Sequence, residues 1–336
     1  MKRFFALVIA LSAIAVIPAA AQKSYKLADR VKLGGEGGWD YLTNDEHDKR
    51  IFITRGTHVI VVDAKTLKQT GDIPGLNGVH GVALAPELGR GFITSGGDNM
   101  LVIFDLKTLH VADKVKVGDR PDGILYDAAA KRVYTFNAKS QDSTVVDASS
   151  GKVVGTVPLG GKPETAVADG KGNVYVNIED RNEIARLDTA KLAAVEHYPM
   201  AGCEEPSALA FDAVHRRLFA GCGNKVIAVV APDAGKLVTT VDIGGGVDAG
   251  AFNPKTQQIF MSCGEGVLTV IHEDSPDKYS VVQNVPTERG ARTMALDEES
   301  STVYTVTAQF DPTPPPPGQR RKIVPDTFEL LVVRPQ

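Results

Sequence analysis

Seven residues that could carry chemistry recur along the chain at a nearly constant spacing. Each begins a short apolar segment, and successive members lie about 40, 42, 42, 43, 41 and 44 residues apart. Four of the seven are carboxylates, and the others are a histidine, a serine and an arginine. Carboxylates with a histidine favour a divalent ion such as Mn²⁺ or Zn²⁺, and carboxylates can equally hold a cationic group. The seven residues are Asp40, His80, Asp122, Glu164, Ser207, Asp248 and Arg292.

The segments that these residues begin share one pattern. A short apolar strand, a polar turn and a second strand follow in each copy, as in "DGILYDAAAKRVYT" and "SALAFDAVHRRLFA". The second half of a copy adds two more strands, as in "STVVDASSGKVVGTVPLG". Four short strands bounded by turn residues within about 42 residues are typical of one propeller blade. We label the four strands of each unit a to d.

The two ends of the chain complete each other. The seventh copy stops after its third strand, "TFELLVVRP", and lacks strand d. The N-terminal segment 27–35, "LADRVKLGG", resembles the d strand "VADKVKVGD" of the second copy. We therefore predict an all-β, seven-bladed β-propeller of four-stranded blades. The N-terminal strand d pairs with the C-terminal blade and closes the ring, which leaves only short edges exposed.

The repeat also resembles a known family. The unit "VGDRPDGILYDAAAKRVYTFNAKSQDSTVVDASSGKVVGTVPLGGKPE" is similar to the YVTN repeat of YncE-like seven-bladed propellers. The resemblance extends over essentially the whole mature chain, although "YVTN" itself survives only in forms such as "VYTFN" and "VYVNI". It implies a propeller exported from the cytoplasm. It implies no particular activity, because most members have none assigned.

The N-terminus has the pattern of a secretory signal peptide. Lys2 and Arg3 precede an apolar run over 4–17, and three alanines precede Gln22. We predict cleavage of residues 1–21, with an uncleaved anchor as the alternative. Residues 22–336 would then form a single propeller domain, without a transmembrane segment, in the periplasm or outside the cell. The net charge of −4 argues against a nucleic-acid partner, and we expect a monomer.

The position of strand a places the seven residues together. Strand a is the innermost strand of a blade, so its first residue lies at the mouth of the central channel, between the d–a and b–c connections. We predict a ligand-binding site from all seven residues and the neighbouring Trp39. His80, Asp122 and Glu164 come from consecutive blades and form the predicted metal-ligand set. The alternative is that these side chains only hydrogen-bond the backbone and shape the loops.

Two members of this predicted site have alternative roles. Arg292 could pair with Asp248 or Asp40, or it could hold an anionic group of a ligand. Trp39 could stack on a ligand or wedge between blades.

The three cysteines of the sequence allow more than one disulfide pairing. Cys203 precedes strand a of the fifth blade and Cys222 ends its strand b, opposite Ser207, so both lie on the mouth face. In an exported protein we expect a disulfide between them. A Cys222–Cys263 bond and a three-thiolate metal site are the alternatives. The "C-x-x-P…C-x-N" arrangement in YncE-like proteins implies the Cys203–Cys222 bond.

A long proline-rich loop over 308–326 joins strands b and c of the seventh blade. Its proline run would be stiff and extended. It lies on the face of the seven residues, so it would form a lid or a partner-binding arm. The alternative is an insertion that the fold tolerates.

The sequence lacks the motifs of several enzyme classes. It contains no GxSxG, P-loop, HExxH or CxxCH motif. We therefore expect a non-catalytic binding or scaffold propeller whose partner is an envelope protein, a peptide, a glycan or a small molecule. The alternative is a metal-dependent hydrolase that opens lactones or cleaves esters at the channel mouth. No cofactor other than a divalent metal is expected. A redox role is a third class, for which no cofactor motif is present.

Overall fold

The computed structural model describes residues 24–313, 315–316 and 321–336. These residues form 28 strands in seven four-stranded antiparallel sheets. Two short 3₁₀ helices, Pro86–Leu88 and Glu179–Arg181, interrupt the connections. The predicted signal peptide and the centre of the proline-rich loop lie outside the described residues. No helix in the described part of the chain is both long and apolar enough to cross a membrane.

Six of the sheets each contain four consecutive strands, and we call these sheets blades 1 to 6 in chain order. The strands are numbered along the chain, starting with the N-terminal β1 (Tyr25–Lys32). Blade 1 contains β2 (Leu42–Asp45), β3 (Arg50–Arg55), β4 (His58–Asp63) and β5 (Gln69–Ile73). Blade 2 contains β6 (Val79–Ala85), β7 (Arg90–Ser95), β8 (Met100–Asp105) and β9 (Val111–Lys116). Blade 3 contains β10 (Pro121–Asp127), β11 (Arg132–Asn137), β12 (Asp142–Asp147) and β13 (Val153–Pro158).

The next three blades continue the series. Blade 4 contains β14 (Pro163–Ala168), β15 (Asn173–Ile178), β16 (Glu183–Asp188) and β17 (Ala193–Pro199). Blade 5 contains β18 (Pro206–Asp212), β19 (Arg217–Cys222), β20 (Val226–Ala231) and β21 (Lys236–Asp242). Blade 6 contains β22 (Val247–Asn253), β23 (Gln258–Cys263), β24 (Val267–Ser275) and β25 (Lys278–Pro286).

Blade 7 joins the two ends of the chain and confirms the predicted closure. It contains β26 (Met294–Asp297), β27 (Thr302–Thr307), β28 (Glu329–Pro335) and, at its outer edge, β1. Strand β1 runs antiparallel to β28 from the Tyr25–Pro335 pair to the Lys32–Glu329 pair. The closing strand starts two residues earlier than the predicted 27–35 segment. It ends before Gly34, whose positive φ of 70° leaves the extended conformation.

The hydrophobic core lies between the blades. Seven clusters of buried apolar residues each combine side chains from two neighbouring blades, including the joint between blade 7 and blade 1. Each blade therefore buries both faces, which explains why strands b and c are apolar at nearly every position. The innermost strands approach closely: a Cβ on Gly123 would lie 2.4 Å from the carbonyl oxygen of Glu164 in the next blade.

Strand a begins with a bulge in the five blades from blade 2 to blade 6. The register shifts fall between Val79 and Val82, Pro121 and Ile124, Pro163 and Ala166, Pro206 and Ala208, and Val247 and Ala249. Each shift contains one of the seven residues. Extra residues in a bulge re-aim a side chain relative to the regular ladder. This feature also corrects one prediction, because Cys222 pairs with Pro206 rather than with Ser207.

The closing strand provides the first test. Tyr25 is 2% exposed, packs edge-on against Phe260 of blade 6 at 5.3 Å, and donates a hydrogen bond of 2.6 Å to Gln258 Oε1. We expect Tyr25→Ala to lower the free energy of unfolding by about 3–5 kcal/mol, because it removes a large buried side chain from the core between blades 6 and 7. The exposed neighbour Lys26→Ala is the control in the same denaturant titration. Equal stability of the two variants would contradict this account of closure.

Candidate functional site

A cavity of about 560 Å³ opens at the mouth of the channel. Six of the seven predicted residues line it together with Trp39, and they come from blades 1, 2, 3, 4, 6 and 7. Ser207 is the exception, because its hydroxyl donates a hydrogen bond of 2.8 Å to the carbonyl oxygen of Val247. The six residues are Asp40, His80, Asp122, Glu164, Asp248 and Arg292.

His80 lies between two carboxylates. Its Nδ1 atom is 2.7 Å from Asp40 Oδ2 and 3.1 Å from Asp122 Oδ1. Burial opposes the charge on the ring, but the hydrogen bonds and charges of Asp122 and Asp40 outweigh burial and raise the pKa of His80 to about 10. Burial likewise opposes ionisation of Asp122, yet its contact with His80 lowers the pKa of this carboxyl. The group is an imidazolium held by two carboxylates at neutral pH.

Arg292 forms the second charged group of the mouth. Its Nε atom lies 2.6 Å from Asp248 Oδ2, and a terminal nitrogen lies 3.4 Å from Asp40 Oδ1. The adjacent Thr293 hydroxyl donates to the Asp40 carbonyl oxygen at 2.7 Å, which fixes blade 7 against blade 1. Burial raises the pKa of Asp248 to about 6 although Arg292 opposes the shift, and the charge of Asp40 adds to the rise. Arg292 thus contacts both carboxylates that the sequence proposed as its partners.

Glu164 has a different partner from the one predicted. Lys162 Nζ lies 2.6 Å from Glu164 Oε1, and it also contacts Glu179. Burial and then the charge of Asp122 raise the pKa of Glu164 to about 8, although Lys162 opposes the shift. The ligand atoms that lie within 4.8 Å of one another at the mouth belong to Asp40, His80 and Asp122. The structure thus groups Asp40, rather than Glu164, with His80 and Asp122.

The predicted site omits three polar side chains that line the cavity. Arg120 and Lys162 line its rim, each two positions before a residue of the predicted seven. Glycine occupies the same repeat position in blades 1, 2, 6 and 7, so aligning this position would have singled out the two cations. Tyr41 lies deeper, with its hydroxyl 3.5 Å from Thr165 Oγ1 across the channel. Burial and the carboxylates around it raise the pKa of Tyr41 well above its usual value.

The predicted Trp39 lies in the joint between blades 7 and 1. Its ring is 7% exposed and packs against Phe328 at 5.5 Å and Phe310 at 6.0 Å. Trp39 is therefore a wedge between blades whose edge reaches the cavity. Phe310 belongs to the proline-rich loop, so the described start of that loop lies beside the mouth, on the predicted face.

The two cysteines of blade 5 form a disulfide. The Cys203 and Cys222 sulfurs are bonded, and 19 residues separate them in sequence. The bond ties the connection before β18 to the end of β19. Cys263 is buried with a free thiol, and burial raises its pKa to about 12. Because Cys222 is bonded to Cys203, the Cys222–Cys263 pairing is excluded. A buried thiol with a raised pKa gives no support to a thiolate metal site.

The comparisons with known proteins define the fold. No family model and no curated protein sequence matches the chain. The structure is similar to that of U3-55K, with a TM-score of 0.78 and 9% identity over 92% of this chain and 99% of that one. It is similar to the WD40 repeats of RRP9, with a TM-score of 0.76 and 9% identity over 94% and 99% of the two chains.

A chain of Kuenenia stuttgartiensis hydrazine synthase is also similar, with a TM-score of 0.69 and 16% identity over 87% of this chain and 96% of that one. Such identities establish a shared fold and leave function open. The protein is a seven-bladed β-propeller, with a fold similar to that of WD40-repeat proteins.

The charge of His80 gives a test of this geometry. An unfolded histidine titrates near 6.5, so the raised folded pKa stabilises the protein fully below that pH. The stabilisation is lost as the pH rises from about 6.5 through about 10. NMR titration should show an imidazolium at pH 8, and Asp122→Asn and Asp40→Asn should each lower the pKa of His80. A neutral ring at pH 8 in the unmodified protein would contradict the assignment.

Proposed function

We propose that the channel mouth binds a cationic group carried by a protein or peptide partner. One observation carries this proposal: side chains from six blades converge on one open cavity and bring four carboxylates together at its wall. The pKa values of His80, Glu164 and Asp248 are all raised. Burial is the largest cause of the shifts at Glu164 and Asp248, so neutralisation of these two carboxylates is favourable, and a lysine or arginine side chain could supply the positive charge in place of a proton.

The shape of the site agrees with this chemistry. The cavity holds about 560 Å³, which is room for one or two side chains rather than for a folded domain. Its polar lining provides charge-assisted hydrogen bonds, the stronger class of hydrogen bond in proteins. WD40-type propellers generally serve as binding scaffolds for protein partners, which supports a macromolecular partner over the glycan or small molecule that the sequence also allowed.

A peptide panel tests the proposal. We expect an arginine-ended peptide to bind more tightly than its norleucine-ended and glutamate-ended analogues in a calorimetric titration. Glu164→Gln and Asp248→Asn should each weaken its binding about tenfold, the cost of one charge-assisted hydrogen bond. Affinity should also rise from pH 7 to pH 9, because Glu164 ionises near pH 8, and Glu164→Gln should remove this rise.

The matched control lies on the opposite face. Glu46 is an exposed carboxylate in the turn after β2, and Glu46→Gln should leave the affinity unchanged. Equal binding of the three peptides, or binding that none of the mouth variants alters, would eliminate a cation site at the mouth.

The chain's cellular location belongs to the same proposal. We infer an exported YncE-like propeller whose residues 1–21 are removed and whose single domain spans 22–336. The signal-like N-terminus, the seven-bladed ring and the Cys203–Cys222 bond support this inference. The protein recovered from periplasm or medium should begin at Gln22 and give a linked Cys203–Cys222 peptide in non-reducing mapping. A cytoplasmic protein with an intact N-terminus and free thiols would refute export.

A metal-dependent hydrolase is the second candidate. The observation in its favour is the set of ligand atoms from Asp40, His80 and Asp122 within 4.8 Å. Any ion there must displace the proton of an imidazolium whose pKa is about 10. This competition favours the cationic-group proposal over the hydrolase. The hydrolase requires stoichiometric metal that Asp40→Asn removes.

A further inference from the structure

A second cluster of ionisable side chains lies at the joint between blades 5 and 6. Asp212 ends β18, His215 lies in the turn that follows, and Glu273 lies near the end of β24 in the next blade. His215 Nδ1 is 2.8 Å from Asp212 Oδ2 and 3.4 Å from Glu273 Oε1. The cluster belongs to the a–b and c–d connections, so it occupies the face opposite the channel mouth.

Two atoms of this cluster are buried without a hydrogen-bond partner. Glu273 Oε2 and His215 Nδ1 have none among the residues that the structure describes. The Glu273 side chain is fully buried, and that of Asp212 is 2% exposed. The short His215–Asp212 contact therefore lacks hydrogen-bond geometry. Glu273 Oε1 accepts a hydrogen bond of 3.5 Å from the Tyr279 hydroxyl, so Oε2 is the oxygen left without a partner. A buried polar atom without a partner costs free energy, so this arrangement calls for a positive partner.

The repeat shows that Glu273 is an exception. By strand register, its position corresponds to a neutral residue in every other blade. The six equivalents are Ala64, Leu106, Ala148, Thr189, Pro232 and Pro335. The fold therefore does not need a carboxylate here. Among the described residues, blade 6 alone has a carboxylate at this position. This carboxylate lies against the turn that carries His215, which is the only described a–b turn whose histidine is directed at the next blade.

Arg217 holds the two blades in this arrangement. Its Nε atom donates to the Pro276 carbonyl oxygen at 2.8 Å, and a terminal nitrogen contacts Asp277 Oδ1 at 2.9 Å. Another terminal nitrogen donates to the His215 carbonyl oxygen at 2.9 Å. One arginine thus fixes both the turn that carries His215 and the hairpin that follows Glu273. The backbone segments that carry His215 and follow Glu273 are thus held together without an ion.

We propose that Asp212, His215 and Glu273 form a binding site for one divalent transition-metal ion, with Zn²⁺ as the best match. The three residues each offer a ligand atom within 4.8 Å of the others. One imidazole and two carboxylates suit Zn²⁺ or Mn²⁺ better than Ca²⁺, which prefers oxygen ligands alone. A 2+ ion neutralises both carboxylates. The His215 side chain is 30% exposed, so water can complete the coordination.

The test uses untagged protein that has been stripped with EDTA. Zn²⁺ is titrated against a chromophoric chelator, and bound metal is counted by mass spectrometry after gel filtration. We expect one equivalent in the unmodified protein, with Zn²⁺ raising the melting temperature. His215→Ala and Glu273→Gln should each reduce the affinity at least tenfold and abolish the thermal shift. Binding should weaken below pH 6, because protons compete for the same atoms.

Two controls separate this site from the rest of the molecule. His272→Ala removes the histidine next to Glu273, which pairs with Asp274 at 2.9 Å, and it should bind zinc like the unmodified protein. Asp40→Asn alters the channel mouth and should also retain zinc. If Glu273→Gln fails to fold, the partly exposed His215→Ala decides. Absence of stoichiometric zinc, or zinc that is lost in Asp40→Asn but kept in His215→Ala, overturns the proposal.

Discussion

The pairing of β1 with β28 is the contact on which the ring depends. Without it, blade 7 would have three strands, and the joint between blades 6 and 7 would lose Tyr25. The tie is reinforced by two hydrogen bonds between the Tyr25 backbone and the Gln283 amide, at 2.8 and 2.9 Å. Because each core cluster is shared between two blades, an open ring would leave two apolar faces without partners. Closure therefore stabilises every joint together.

Closure also determines what the channel mouth can be. Seven inner strands that start at the same height bring their first residues into one ring, and the bulges of blades 2 to 6 turn those residues away from the regular ladder. The result is a group of four carboxylates, each from a different blade, around one cavity. His80 and Arg292 compensate part of that charge, each by bridging two blades. Burial, and then the charge of a neighbouring carboxylate, raises the pKa values of Glu164 and Asp248.

The two faces of the ring differ in the surroundings of their ionisable side chains. At the mouth, ionisable groups face a shared cavity and remain in contact with solvent. At the opposite face, Asp212, His215 and Glu273 meet within one joint, where the two carboxylates are buried and the His215 side chain is partly exposed. The repeat explains why charged clusters can lie on both faces of the ring. The core of each joint between blades is apolar and does not depend on the residues at the two ends of the strands. A blade can acquire charged residues at its turns without disturbing the strands that hold it.

The sequence by itself determined the number of blades, the split seventh blade and the face on which six of the seven residues meet, because the period of about 42 residues records strand order directly. Only the tertiary structure decided which of these residues contact one another. Which side chains contact one another at the mouth depends on β-bulges, and the alternation of apolar and polar residues does not reveal them. His80 therefore contacts Asp40 rather than Glu164. The contact between His215 and Glu273 crosses a joint between blades, and sequence spacing carries no information on such a contact.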